Sequence, residues 1–143
     1  IKALSQVPTT TVKLTPALRE LVDTWAGVCA VEIDMEPDLK KDISRNPRLS
    51  MCLNEILKEA VSNAVRHGDA ERAWVEVSRI GEKGAAVVEV QVTNDGRIPV
   101  TGERRGLGSK LLDELTLDWS LNSEPETGRT ILAARLPFSG VQA

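Results

Sequence analysis

The sequence predicts one α+β domain, a two-layer sandwich in which a mixed, largely antiparallel sheet carries three helices on one face. Three observations lead to this prediction. The chain has 143 residues, about the length of a single domain. Apolar residues recur at helical spacing in three segments, and apolar and polar residues alternate in several others. The alternation gives each strand one polar face, so the helices are expected to cover only one side of the sheet.

The first part of the chain predicts a helix followed by a strand. The helix carries Pro16 in its first turn and ends at Gly27. Residues 1–15 are interpreted as a polar lead-in from an upstream segment. Alternating apolar and acidic residues then predict a strand over Val28–Met35 with one solvated face.

The longest periodic segment predicts the central helix of the domain. A Pro- and charge-rich connection is expected over 36–48. Apolar residues then recur at helical intervals from Leu49 to Val65, and Gly68 is expected in the C′ position just beyond the helix. We expect the motifs of this chain to lie within a core at 49–137.

The second half of the chain predicts four strands and one helix. Alternating runs over 73–78 and 86–92 indicate a hairpin. The chain then adds a short helix after Gly108 and a final pair of strands, over 117–122 and 130–136. The whole chain, 1–143, is therefore interpreted as one domain.

Composition and charge exclude several classes of protein. The chain carries 18 Lys and Arg against 21 Asp and Glu, a net charge of −3, which argues against a nucleic-acid partner. It has no apolar run long enough to span a bilayer, so we expect no membrane contact by this fragment and a cytoplasmic location. Cys29 and Cys52 lack the spacing of a zinc site or a disulfide framework, and are expected to be buried, reduced thiols.

Polar residues on the central helix form the first candidate site. Glu59 and Asn63 are four positions apart, so they share one face of the helix. His67, the only histidine in the chain, follows one turn later. Taken alone, this spacing also fits an ordinary solvated helix face, so the interpretation depends on the motifs that follow.

Two glycine-bearing breaks follow the central helix. Asn94-Asp95-Gly96 ends a strand, and its glycine allows a close approach of the backbone. Gly106-Leu107-Gly108 precedes a helix, where free N–H groups and the helix dipole favour an anion. The segment lacks the Gly-Lys-Ser/Thr ending of a P-loop and the third glycine of a dinucleotide-binding fold. Neither of those nucleotide folds is predicted.

The ordered set of motifs over 53–137 resembles the ATP-binding domain shared by histidine kinases, gyrases, heat-shock chaperones and mismatch-repair ATPases, the GHKL or Bergerat fold. Glu59–His67 is similar to the N box of that family, and Asn94–Gly96 to its first glycine box. Gly106–Gly108 resembles its second glycine box, and Gly128–Thr130 its last. The resemblance implies the histidine-kinase-like ATPase fold.

The resemblance implies ATP and Mg²⁺ as ligands, with roles for residues of the N box and second glycine box. Asn63 would offer its side-chain oxygen to Mg²⁺, and Glu59 would act as acid/base or orient the metal. The main chain of Gly106–Gly108, including Leu107, would bind phosphates. Arg66, His67 or the pair Arg104 and Arg105 would neutralise phosphate charge.

The resemblance also implies how the base is bound, and it shows two departures. Asn94 would meet the adenine amino group, Gly96 would clear room for the ring, and Thr130 would lie near the base. The first glycine box of the family usually begins with Asp, whereas this chain has Asn94. Its second glycine is replaced by Ile98, so nucleotide affinity is expected to be low.

The leading hypothesis is therefore the ATP-binding catalytic domain of a sensor histidine kinase. Such a domain would donate the γ-phosphate to a histidine on dimerisation helices outside this fragment, and a response regulator would act downstream. Two alternatives stay open: a stand-alone anti-sigma-factor-type serine kinase, and a degenerate version of the same fold that serves as a protein-interaction module.

Overall fold

The computed structural model describes residues 13–81, 86–97 and 109–138. The helices in these ranges are α1 (Leu14–Trp25), α2 (Pro37–Ser44), α3 (Pro47–Gly68) and α4 (Ser109–Leu115). The strands are β1 (Ala30–Met35), β2 (Arg72–Ile80), β3 (Val87–Asn94), β4 (Asp118–Ser123) and β5 (Thr130–Pro137). Within the same ranges, no helix is both long enough and apolar enough to cross a membrane.

The five strands form one mixed sheet in the order β1-β2-β3-β5-β4. Strands β1 and β2 are parallel, and the other neighbouring pairs are antiparallel. A parallel pair needs a crossover connection, which α2 and α3 supply between β1 and β2. The predicted mixed, largely antiparallel sheet is confirmed.

The helices pack on one side of this sheet. In β2 the buried residues are Ala73, Val75 and Val77, and in β3 every second residue from Val88 to Asn94 is buried. The apolar side chains among them form one core with the buried residues of α1, α2 and α3. The alternate residues of the strands face the other side, as the period of a strand requires. The two-layer α+β architecture is thus the one that the sequence predicts.

The segment 36–48, predicted as an irregular connection, contains helix α2. Pro37 lies in its first turn, where the missing N–H breaks no helical hydrogen bond. Leu39 and Ile43, one turn apart, are buried against the core. The described ranges therefore hold four helices rather than the predicted three. With only 8 residues, α2 has too short an apolar pattern to stand out from its charged surroundings.

Both ends of helix α3 are fixed by local backbone geometry. The side chain of Asn46 accepts a hydrogen bond from the Leu49 N–H at 3.1 Å, and Pro47 opens the helix. At the other end Gly68 is the last helical residue, and Asp69 takes the left-handed conformation with φ 56°. The prediction that Gly68 is the C′ residue is wrong, because Asp tolerates this conformation and fills that position.

The two cysteines are buried in the core and are not joined in a disulfide. Desolvation raises the pKa of both thiols, and the nearby Asp95 carboxylate raises the pKa of Cys29 further. The prediction of buried, reduced thiols is confirmed.

Candidate functional site

A cavity opens between helix α3, the end of the sheet and helix α4. Glu59 and Asn63 of α3 face Asn94 and Thr130 across it. The larger apolar side chains that line the cavity are Val92, Leu112, Trp119, Leu121 and Leu132. The enclosed space is about 50 Å³ and opens to solvent, which is room for a few water molecules.

Helix α3 supplies one polar wall of the cavity. The Nδ2 group of Asn63 donates a hydrogen bond to Oε2 of Glu59 at 3.1 Å. A carboxylate can only accept, so the nitrogen end of the amide faces Glu59 and the oxygen end is turned away from it. The two side chains therefore share one face of the helix, as the spacing predicts.

The ends of β3 and β5 supply the opposite polar wall. Asn94 and Thr130 are cross-strand partners, and both are buried. Oδ1 of Asn94 accepts a hydrogen bond from the Gly96 N–H at 2.8 Å, and Oγ1 of Thr130 donates one to the Gly96 carbonyl at 3.1 Å. These two bonds fix the turn that follows β3 at the rim of the cavity.

Gly96 packs on the end of helix α3. The N–H of Arg97 donates to the Gly68 carbonyl at 2.9 Å, and a Cβ on Gly96 would lie 2.5 Å from the Gly68 oxygen. The resemblance implies that Gly96 clears room for a ligand ring. In the structure the backbone of Gly68 occupies the space that a Cβ on Gly96 would need, so the absence of a side chain allows contact between turn and helix.

The other predicted site residues do not join the cavity within the described ranges. Arg66 and His67 lie in the last turn of α3, where both are exposed, and neither belongs to the described lining. The remaining predicted residues, Arg104, Arg105, Gly106, Leu107 and Gly108, lie outside the described ranges.

Two lining residues that carry a polar group were missed by the sequence analysis. Arg97 follows Gly96 directly and forms an ion pair with Asp69 at 3.3 Å, with 81% of its side chain exposed. Its position beside the glycine motif was a usable signal. Trp119 contributes its ring to the apolar wall and donates through Nε1 to Asp113 at 2.8 Å. The sequence analysis predicted the pairing of β4 with β5, but not that this pair lies beside helix α3 at the cavity.

The donor set of the cavity suits only a metal ion that brings other ligands with it. Within the described ranges, no group of three or more His, Cys, Asp or Glu side chains could hold a metal. Mg²⁺ commonly takes one or two protein oxygens and completes its shell with water and phosphate. The side chains of Glu59 and Asn63 provide oxygens of that kind on one helix face, so they fit a cation that is bound together with a triphosphate.

No family model matches the sequence, and no curated protein does. Solved structures do match. The ATP-binding domain of PrrB from Mycobacterium tuberculosis has a TM-score of 0.56 and 22% identity, over 93% of this chain and 98% of that one. The histidine kinase domain of the E. coli osmosensor EnvZ has a TM-score of 0.54 and 18% identity, over 93% of this chain and 91% of that one. Full-length ShkA in complex with AMPPNP gives 0.54 and 15%, over 94% of this chain and 32% of that one.

At such low identity, these likenesses establish architecture rather than activity. The five-stranded mixed sheet with helices on one side is the arrangement that the motif resemblance implied. The chain has the fold of the ATP-binding catalytic domains of histidine kinases.

Proposed function

We propose that this chain is the ATP-binding catalytic domain of a sensor histidine kinase, which binds Mg-ATP and donates the γ-phosphate to a histidine on dimerisation helices outside the fragment. One observation carries the proposal: Glu59 and Asn63 share a cavity with Asn94 and Thr130. These residues come from three separate elements, and the motif resemblance implies a nucleotide-binding role for each. The AMPPNP bound to ShkA, a protein of the same fold, supports a nucleoside triphosphate as ligand.

In this proposal helix α3 serves the metal and the reacting phosphate. Asn63 offers Oδ1 to Mg²⁺, and the hydrogen bond from its Nδ2 to Glu59 holds the amide in the orientation that this needs. Glu59 keeps that amide in place or accepts a proton during transfer. When bound, Mg²⁺ would neutralise charge on the triphosphate, since catalysis of phosphoryl transfer is mainly positioning and charge stabilisation.

The other parts of the ligand are assigned to the remaining motifs. The adenine base is assigned to the end of the cavity that Asn94 and Thr130 line. The phosphates are assigned to the main-chain N–H groups of Gly106–Gly108, with Arg66, His67 or Arg105 as sources of positive charge, and these assignments stay predictions. Arg97 adds a basic group at the cavity that the motif pattern did not include.

Histidine transfer also defines the proposed partners. The first acceptor is a histidine on the dimerisation helices of the parent kinase, and a response regulator receives the phosphoryl group next. Both belong to the cytoplasmic side of a sensor pathway, which is where we place this domain.

Nucleotide binding by an Asn63→Ala variant tests the proposal. Calorimetric titration should show Mg-ATP binding to the unaltered chain and none to Asn63→Ala, while circular dichroism stays unchanged. Asn54→Ala is the matched control, because Asn54 lies on the same helix but lines a groove against α1. It should bind as the unaltered chain does. Equal affinity in Asn63→Ala and the control would refute the site.

The identity of the acceptor needs a second experiment on the full parent protein. Acid-labile phosphate on its dimerisation helices is expected after incubation with Mg-ATP. Acid-stable phosphoserine on a separate protein would instead support the anti-sigma-type serine kinase. Absence of nucleotide binding at millimolar ATP would leave the interaction module as the better interpretation.

A further inference from the structure

The aromatic ring in the wall of the cavity is held by a hydrogen bond to a residue behind that wall. Trp119 lines the cavity, and its Nε1 donates to Oδ1 of Asp113 at 2.8 Å. Asp113 is exposed and does not belong to the described lining of the cavity. An indole has one N–H donor and no acceptor, so this bond uses the whole hydrogen-bonding capacity of the ring. Asp113 therefore restrains the ring without occupying the space of a ligand.

The backbone that carries Asp113 is anchored on both sides of it. Leu112, the preceding residue of α4, is buried and lines the cavity. Just beyond the end of α4, the N–H of Leu117 donates to the Arg135 carbonyl of β5 at 2.7 Å. The carboxylate that accepts from the indole consequently has a defined position relative to the sheet.

The neighbour of Trp119 on the adjoining strand is too small to fix the ring by packing alone. Trp119 is the cross-strand partner of Ala134, which is fully buried. Side chains that lie directly opposite each other in a strand pair point to the same face, so only a methyl group adjoins the indole there. The bond to Asp113 is thus a separate restraint on the orientation of the ring.

A ring restrained in this way suits the base of a nucleotide. The base is the part of a nucleoside triphosphate that has flat apolar faces, whereas the ribose and the phosphates are polar. Trp119 belongs to the apolar part of the cavity wall, and aromatic rings attract each other when they stack with an offset or meet edge to face. A side chain that is already ordered in the free protein also loses less entropy when a ligand binds.

We propose that Trp119 packs against the base of the bound nucleotide and that Asp113 is a positioning residue, which holds the indole in the orientation that the base needs. This inference rests on the proposed function, because it assumes that the cavity takes a nucleoside triphosphate. Neither residue belongs to the N box or to a glycine box, so the inference adds two residues to the site.

Two substitutions at Asp113 test the positioning role on the 143-residue chain. Asp113→Ala and Asp113→Asn both remove the negative charge, but only alanine removes the acceptor, since the carboxamide oxygen of asparagine accepts from an indole N–H. Calorimetry should show Mg-ATP bound about three- to tenfold more weakly by Asp113→Ala, the effect of one side chain that must be ordered on binding. Asp113→Asn should stay within about twofold of the unaltered chain.

A matched control and a double-mutant cycle exclude a general structural effect. Asp118→Ala is the control, because Asp118 pairs with Arg135 at 3.0 Å and, as the neighbour of Trp119 in β4, faces the other side of the sheet. It should leave the affinity unaltered. Trp119→Phe keeps an aromatic ring and removes the N–H donor. In that background Asp113→Ala should change the affinity by less than about twofold, and an equal loss in both backgrounds would overturn the inference.

Fluorescence of the ligand-free chain gives a readout that needs no nucleotide. With Trp25→Phe and Trp74→Phe, Trp119 is the remaining tryptophan. Its time-resolved anisotropy should show a more mobile ring with Asp113→Ala than with Asp113→Asn, and equal mobility would contradict the positioning role.

The outcomes separate this inference from the proposed function. If the unaltered chain binds Mg-ATP and the two Asp113 variants bind it equally well, the inference is overturned while nucleotide binding stands. If the unaltered chain binds no Mg-ATP at millimolar concentration, the proposed function fails and the inference fails with it.

Discussion

Gly68 at the end of helix α3 and Gly96 in the turn after β3 lie so close together that neither position has room for a side chain. A Cβ on Gly68 would lie 2.8 Å from the Arg97 carbonyl oxygen, and one on Gly96 would lie 2.9 Å from the Gly68 carbonyl carbon. Both contacts are with backbone, which cannot rotate away as a flexible side chain can. The end of the central helix and the turn after β3 are therefore fitted to each other by two glycines that lie 28 positions apart.

The first prediction concerns this contact. Gly96→Ala should lower the free energy of unfolding by roughly 1–3 kcal/mol, because the new methyl group overlaps the Gly68 backbone and the turn must shift. Urea denaturation measures the change. Gly27→Ala is the control, since nothing lies within 4 Å of a Cβ at that position, and it should stay within about 0.5 kcal/mol of the unaltered chain. Equal midpoints for the two variants would contradict the prediction.

The second prediction separates binding from transfer at Glu59. Glu59→Gln keeps an oxygen that can accept from Asn63 Nδ2 and removes the negative charge. Under the proposed function, nucleotide affinity should change little, and the rate of phosphoryl transfer in the full parent kinase should fall by about 10²–10⁴. Calorimetry and acid-labile phosphate assays report the two quantities. Unchanged transfer would exclude a role for the carboxylate in the reaction.

The third prediction uses Trp119 as a probe of the cavity. Because its ring forms part of the apolar wall, a bound nucleotide should alter its surroundings and its fluorescence. A variant with Trp25→Phe and Trp74→Phe isolates this signal, which should change and saturate with added Mg-ATP. The control keeps only Trp74, which stacks with Arg129 at 4.3 Å on the other side of the sheet. A response from the control alone would argue against the cavity.

The fourth prediction follows from the buried thiols. Burial raises the pKa of Cys29 and Cys52 above the ordinary value of 9.0, so the folded chain keeps these protons at a pH where the unfolded chain loses them. Their contribution to stability is complete below pH 9.0 and declines as the pH rises through the folded-state values. Urea unfolding between pH 8 and 10 should show this decline. A Cys29→Ala, Cys52→Ala variant should show a shallower one, and equal slopes would refute the assignment.

Sequence patterns predicted the sheet well because each strand has one solvated face. The alternation in β2 and β3 marks which residues are buried, and the final strand pair follows the same rule. The helical stripe of α3 is long enough to identify that helix. Helix α2 was not predicted because only Leu39 and Ile43 are buried in it, and two apolar residues among charged ones fit a loop equally well.

Only the cavity residues that belong to a recognisable sequence motif could be predicted. Glu59 and Asn63 share a helix face, so their proximity follows from local geometry. Trp119 reaches the cavity because the pair of β4 and β5 lies beside helix α3, and periodicity does not report how distant segments pack together. Gly68 is needed because the turn after β3 packs against it, and the sequence does not show this contact. Its position in the sequence therefore suggested only the end of a helix.

Asn94 and Thr130 face the cavity only because β3 and β5 pair in one register. Their neighbours Thr93 and Ile131 are also cross-strand partners, and they face the opposite side of the sheet. A slip of β3 by one residue would turn Asn94 to the other side of the sheet and bring Thr93, with its smaller hydroxyl, to the cavity. A chain refolded with β3 out of register would keep its helix content but would not bind the nucleotide. Under the proposed function, nucleotide affinity after refolding therefore reports whether the strands are correctly aligned.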